Sequence, residues 1–89
     1  MRQLFKTKRF SKDISKLNKS IQIKAFEISQ KLILNPFDSS LEIKQLTGYD
    51  RIYRVVVFSD FRMIYTFDKL TLTLLRIANR KDIYKNLEF

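Results

Sequence analysis

Three runs in the second half of the chain, Ile52–Phe58, Phe61–Phe67 and 70–77, are rich in Val, Ile, Leu, Phe, Tyr and Thr. Only Ser59-Asp60 and Asp68-Lys69 separate them. Side chains of these types favour extended backbone. Connections of two or three residues leave no room for a crossover, so the runs are expected to pair as consecutive antiparallel strands. That single feature limits the chain to folds built on a small antiparallel sheet.

Strand parity then decides where Arg54 and Arg62 point, because successive side chains alternate faces. With a two-residue turn at Ser59-Asp60, Phe58 opposes Phe61 and the two arginines face opposite ways. With a three-residue loop over 58–60, as in a hairpin with a bulge, Val57 opposes Phe61. Tyr53, Val55, Val57, Phe61, Met63, Tyr65 and Phe67 then share one apolar face. Ile52, Arg54, Val56, Arg62, Ile64 and Thr66 take the other. Burying an unpaired charge costs far more than moving a turn by one residue, so the three-residue loop is expected.

The first half reads as helical. Residues 2–8 form a short strand. Ser11 is the expected cap of a first helix, with Asp13 in its first turn, where a carboxylate suits the helix dipole. Phe10, Ile14 and Leu17 recur at helical spacing, and this helix ends near Asn18. Ser20 is the expected cap of a second helix with the stripe Ile21, Ala25, Ile28 and Leu32. Ile23, Phe26, Ile33 and Leu34 widen that stripe. The helix stops at Asn35-Pro36, since the residue before proline is pushed out of the α region. A link of two or three residues makes the helices an antiparallel hairpin. Residues 37–40 form a turn, 41–46 a short extended piece, and Gly48 marks another turn. Residues 80–87 read as a terminal helical turn or a loose tail.

The expected fold class is therefore α+β, in the order β-α-α-β-β-β, as one domain over 1–89. An antiparallel sheet carries the helix hairpin on one face and a short C-terminal helical element follows. The second face is left to solvent or a ligand.

Composition removes several kinds of chemistry. The 89 residues include no Cys, His or Trp. There is no thiol nucleophile, no disulfide framework, no imidazole base and no usual zinc site. The carboxylates show no metal-binding spacing, so neither metal nor cofactor is expected. The longest apolar run, Ile52–Phe58, is interrupted by Arg54 and falls far short of the ~20 residues of a membrane span. No apolar segment follows the basic N-terminus as in a secretion signal. A cytoplasmic location is expected.

Lys and Arg total 18 against nine Asp and Glu, a net charge of +9. Such an excess attracts polyanions. It is concentrated at the ends: residues 1–31 hold nine Lys and Arg against two carboxylates, and residues 69–89 hold five against two. The apolar stripe of the basic part is needed for the core, which argues against membrane binding. On the second face of the sheet, Arg54 and Arg62 lie on adjacent strands. Arg80 and Tyr84, four apart, would be side by side on a helical turn. Guanidinium groups match phosphate oxygens in a planar, bidentate way. The same spacing also suits ordinary solvent-facing arginines, with Tyr84 as a tail anchor.

At these residues the chain resembles the RelE/ParE superfamily of bacterial toxins from type II toxin–antitoxin systems. The resemblance runs through the basic helix hairpin, Asn35-Pro36, Leu46-Thr47-Gly48 and Tyr53-Arg54. It continues through Phe61-Arg62-Met63-Ile64-Tyr65 and Asn79-Arg80-Lys81-Asp82-Ile83-Tyr84, and covers nearly the whole chain. It implies a ribosome-dependent endoribonuclease that cleaves mRNA without a metal. In that chemistry the 2′-OH attacks the neighbouring phosphorus and a cyclic phosphate forms. Carried over by position, the catalytic set is Arg54, Arg62, Arg80 and Tyr84. Arginines would neutralise the phosphorane and stabilise a Tyr84 phenolate. Asn79 stands where many members have His or Lys, and Val56 stands where RelE itself has a second basic residue. The general acid is thus unassigned. Lys6, Lys8, Arg9, Lys12, Lys16, Lys19, Asn79 and Lys81 would contact RNA, the lysine-rich N-terminal part meeting ribosomal phosphates in a salt-dependent way. The implied partners are the ribosome with its mRNA, an antitoxin with an acidic C-terminal segment and, through it, operator DNA. Two other readings remain open on the sequence: a ParE-like inhibitor of DNA gyrase, and a weakly catalytic toxin within an autorepressing complex.

Overall fold

The computed structural model describes residues 1–85; part of the expected tail, 86–87, lies outside them. Two helices pack on one face of a five-stranded sheet. The elements are β1 (Gln3–Lys6), α1 (Lys8–Ser15), α2 (Lys19–Leu34), β2 (Ile43–Gln45), β3 (Ile52–Phe58), β4 (Phe61–Phe67) and β5 (Thr71–Asn79). The α+β class holds. The sheet order is β1-β5-β4-β3-β2. Four strands are antiparallel as expected, whereas β1 joins the edge of β5 in parallel, so the sheet is mixed. The extended piece before Gly48 becomes a fifth strand, β2. Gly48 itself adopts a φ of +86°, which glycine reaches without steric cost.

The helix starts differ from those expected. Thr7, not Ser11, caps α1: its hydroxyl accepts from the Phe10 amide at 3.0 Å and donates to the Leu75 carbonyl at 3.0 Å. Ser11 lies inside the helix, and Asp13 falls past the first turn, which holds no acid. The helix closes at Ser15, earlier than Asn18. Asn18, not Ser20, caps α2, accepting from the Ile21 amide at 3.1 Å; the Ser20 hydroxyl donates to the same Oδ1. A side-chain oxygen serves as cap only from the position whose backbone is extended, and ψ near 160° marks Thr7 and Asn18. Helix α2 stops at Asn35, whose extended backbone (φ −151°, ψ 105°) obeys the constraint of the following proline.

Ile21, Ala25, Ile28, Leu32 and Ile33 are buried against the sheet. Ile23, Phe26 and Leu34 are exposed, so the stripe is narrower than expected. The cluster takes in Phe10 of α1 together with Val55, Val57, Met63, Tyr65, Leu72, Leu74 and Ile77. After α2, Phe37 packs edge-on against Tyr53 and Phe67 at 5.1 and 5.2 Å between centroids. The Tyr65 hydroxyl donates to the Pro36 carbonyl at 2.6 Å.

The β3–β4 hairpin corrects the expected loop. Phe58 does oppose Phe61, across the two-residue turn. The extra residue sits one position earlier, as a bulge at Val57 between the Val56–Arg62 and Phe58–Phe61 pairs. The bulge resets parity within the strand. Val55 and Val57 both remain buried among the helices, and Arg54, Val56 and Arg62 share the other face. The division of faces stands although the turn does not.

The second face is partly covered. Leu46, Ile64, Leu75 and Ile83 form a separate buried cluster there, with Tyr49, Ile52 and Ala78 packed around it. A second bulge, at Leu75 between Ile64–Arg76 and Tyr65–Leu74, turns Leu75 to this side. The turns at 80–84 return over the face and insert Ile83, which is fully buried.

Candidate functional site

Register places the arginines before any tertiary contact is considered. Arg54 lies between Lys44 on β2 and Ile64 on β4. Arg62 lies between Val56 on β3 and Ala78 on β5. Both occupy the face opposite the helices. The four candidate catalytic residues then gather as two pairs.

Arg54 and Tyr84 line one open depression of about 440 Å³, with Lys44, Gln45, Leu46 and Thr47. Its floor is set by the buried Leu46, and Tyr84 follows directly on the buried Ile83. Lys44 adds a second cation opposite Arg54, which periodicity alone did not single out. A shallow cavity with two cations and a half-exposed phenol suits an anionic ligand.

Arg62 and Arg80 meet the β3–β4 turn instead. One guanidinium nitrogen of Arg62, Nη1, donates to the carbonyls of Ser59 at 3.0 Å, Phe61 at 3.1 Å and Phe58 at 3.3 Å. The Arg80 amide donates to the Asp60 carbonyl at 2.7 Å. Its side chain lies 3.8 Å from the Asp60 carboxylate, with both groups more than half exposed. Such a pair contributes little stability and releases easily. Arg80 and Tyr84 therefore engage different partners although four residues apart.

Asn79 acts on the turn itself. Its Oδ1 accepts from the Lys81 amide at 2.8 Å, and its carbonyl accepts from the Asp82 and Ile83 amides, both at 2.9 Å. The Lys81 side chain is exposed. Of the N-terminal basic residues, Lys8, Arg9, Lys12 and Lys16 line an open depression of about 560 Å³, with Asp13 and Arg76. Lys19 lies outside it, exposed at the start of α2. Lys6 borders a different, mostly apolar groove formed by Leu4, Phe10, Ile14, Ala25 and Phe26.

Arg76 was not singled out by motif. It is 8% exposed, and its Nε lies 3.1 Å from Asp13 Oδ2. Its Nη1 donates to the Lys85 carbonyl at 3.1 Å. The same Asp13 oxygen accepts from the Ile77 amide at 3.2 Å, where β5 runs beyond its pairing with β1. The signal in the sequence was an arginine inside an otherwise apolar strand. A buried charge requires a partner, and Asp13 supplies it from 63 residues away.

Tyr65 has the opposite character to Tyr84. Burial raises its phenol well above the usual value, with the nearby Tyr53 adding to the effect. It remains a protonated donor to Pro36.

No family model and no curated protein matches this chain. Solved structures do. The RelB–RelE antitoxin–toxin complex from Methanococcus jannaschii has 23% identity and a TM-score of 0.76, over 94% of this chain and 99% of that one. The archaeal RelE–RelB complex from Pyrococcus horikoshii gives 20% and 0.77, over 91% and 97%. The DinJ–YafQ toxin–antitoxin complex from E. coli gives 19% and 0.80, over 93% and 97%. The chain has the RelE fold. The RelE fold accounts for the helix-covered face and the strand order. What the fold does here is decided by the side chains on its open face.

Proposed function

We propose that this chain is the toxin of a type II toxin–antitoxin system, and that it arrests growth by cleaving mRNA on the ribosome. The observation that carries this reading is the depression shared by Arg54 and Tyr84 on the open face of a RelE fold. In this reading the RNA backbone lies across that face, with Arg54, Arg62 and Arg80 on the phosphate. The 2′ oxygen forms a bond to phosphorus as the bond to the 5′ oxygen breaks. The departing 5′ oxygen takes up a proton from solvent, so the products are a cyclic phosphate and a 5′-hydroxyl. Tyr84 serves as the general base toward the 2′-OH, and the arginines offset the charge on the phosphorane. Arg62 and Arg80 leave their turn contacts to do so; the exposure of the Arg80–Asp60 pair makes that release inexpensive.

The depression of Lys8, Arg9, Lys12 and Lys16 meets ribosomal RNA phosphates, with Lys19 and Lys81 beside the path of the chain. Asn79 acts through the turn it closes. The cognate partner is an antitoxin with an acidic C-terminal segment, drawn by a net charge of +9, and operator DNA is reached through that partner. The three similar structures are themselves complexes, those from Methanococcus jannaschii and E. coli being antitoxin–toxin complexes. No helix among the described residues is long and apolar enough to cross a membrane, and the proposed place of action is the cytoplasm.

Induction of the wild-type chain, Arg62→Ala and Tyr84→Phe tests the reading. Growth arrest with mRNA cut inside codons, lost in both variants, is the expected result. Arrest with intact mRNA and a DNA-damage response would instead identify gyrase as the target.

A further inference from the structure

Arg76 is the buried cation among the described residues, and its two contacts lie on opposite sides of it in the chain. Nε faces Asp13 of α1, and Nη1 faces the carbonyl of Lys85, the residue after Tyr84. On the other side of Tyr84, Ile83 is fully buried in the open-face cluster. Tyr84 is thus held between two fixed points. A single apolar anchor would let the turn pivot about Ile83; the bond to Lys85 removes that freedom. Asp13 is itself fixed, because the same oxygen also accepts from the Ile77 amide.

We propose that Arg76 is the positioning residue of the site: its guanidinium fork bridges Asp13 and the Lys85 carbonyl and so sets where the 79–85 turn presents Tyr84. The proposal rests on the reading of Tyr84 as a site residue, but its geometric part can be measured without any activity. The planar fork is the reason arginine is required. A lysine ammonium is a compact point charge that satisfies Asp13 without spanning to the second acceptor. Arg76 does not line the depression of Arg54 and Tyr84; it acts through the carbonyl of Lys85, the backbone next to the phenol.

The test uses the full chain with Arg76→Lys and amide hydrogen exchange. Removing the charge altogether, as in Arg76→Met, strands Asp13 and lowers the melting temperature by more than about 10 °C. Arg76→Lys therefore carries the decision. Exchange is expected to quicken at least tenfold at Asp82, Ile83 and Lys85, whose amides donate to Asn79, Asn79 and Asp82. The amides of Val55 and Met63 in the sheet are expected to keep wild-type rates. Wild-type exchange at 82–85, or quickening by the same factor in the sheet, overturns the proposal. In the ribosome cleavage assay Arg76→Lys lowers kcat and leaves KM unchanged. Normal kcat despite quickened exchange also overturns it. If the wild-type chain cleaves no RNA while the turn still loosens selectively, the functional reading fails and the structural role of the fork stands.

Discussion

Among the described residues, thirteen buried side chains form one cluster on the helix-covered side of the sheet, and four form the cluster on the other side. The first is drawn from both helices and three strands. The second depends on a bulge that turns Leu75 over and on one residue of the C-terminal turn, Ile83. The large cluster supplies stability. The small one holds a tyrosine beside a row of cations. The same sheet thus separates the work of folding from the work of binding, and the residues proposed for chemistry lie on the thinly covered side.

Truncation on each side sharpens that contrast. Leu32 is fully buried in the large cluster. Leu32→Ala is expected to cost about 3–5 kcal/mol, a fall in melting temperature of at least ~12 °C by circular dichroism. Ile83→Ala removes an equally buried side chain from a thin cluster that can collapse, and is expected to cost about 2 kcal/mol. Its effect on RNA cleavage should nevertheless exceed that of Leu32→Ala measured under folding conditions, because Tyr84 loses its neighbouring anchor. Equal losses of stability and activity in the two variants would break the comparison.

A smaller effect concerns pH. Hydrogen bonds from the Leu70 and Thr71 amides and the Thr71 hydroxyl hold the Asp68 carboxyl below its usual range. The hydroxyl and then the amide of Ser40 do the same for Asp38. A carboxyl with a lowered folded-state pKa contributes stability above its unfolded value, near ~3.9. That stability is lost as pH falls through the folded-state value. Urea midpoints are therefore expected to fall as pH drops below ~4, and to fall less steeply in Asp68→Asn, which keeps an acceptor but does not titrate. Parallel curves for the two proteins would remove Asp68 from the account.

How far the sequence led follows from the range of each interaction. The stripe Ile21, Ala25, Ile28 and Leu32 and the stop at Asn35-Pro36 were legible because they are local. The sorting of Tyr53, Val55, Val57, Met63 and Tyr65 from Arg54 and Arg62 was legible because charge is excluded from a core. The caps were misplaced because several polar residues stood within one turn of each helix start. Only backbone geometry chooses Thr7 over Ser11 and Asn18 over Ser20. The bulge at Val57 was foreseen as an extra residue but placed one position late, since either placement satisfies the parity. The parallel pairing of β1 with β5, and Asp13 with Arg76, join residues more than 60 positions apart and leave no periodic trace. In the candidate site, Arg54 and Arg62 were placed on the correct face from register. Their separation into one pair with Tyr84 and another at the Ser59-Asp60 turn follows from the turn at 79–85, whose course one buried isoleucine and one buried arginine determine.

The two tyrosines offer the most direct test of the whole account. Tyr65 lies buried on the helix side with its hydroxyl on Pro36, and Tyr84 lies half-exposed beside Arg54. Cleavage of ribosome-bound mRNA should be measured for wild type, Tyr84→Phe and Tyr65→Phe, each shown to be folded by its melting curve. Tyr84→Phe is expected to melt like wild type and to lose cleavage by about 100-fold or more. Tyr65→Phe is expected to lose about 1 kcal/mol of stability and still to cleave. Cleavage by Tyr84→Phe at the wild-type rate would contradict the assignment of chemistry to the open face.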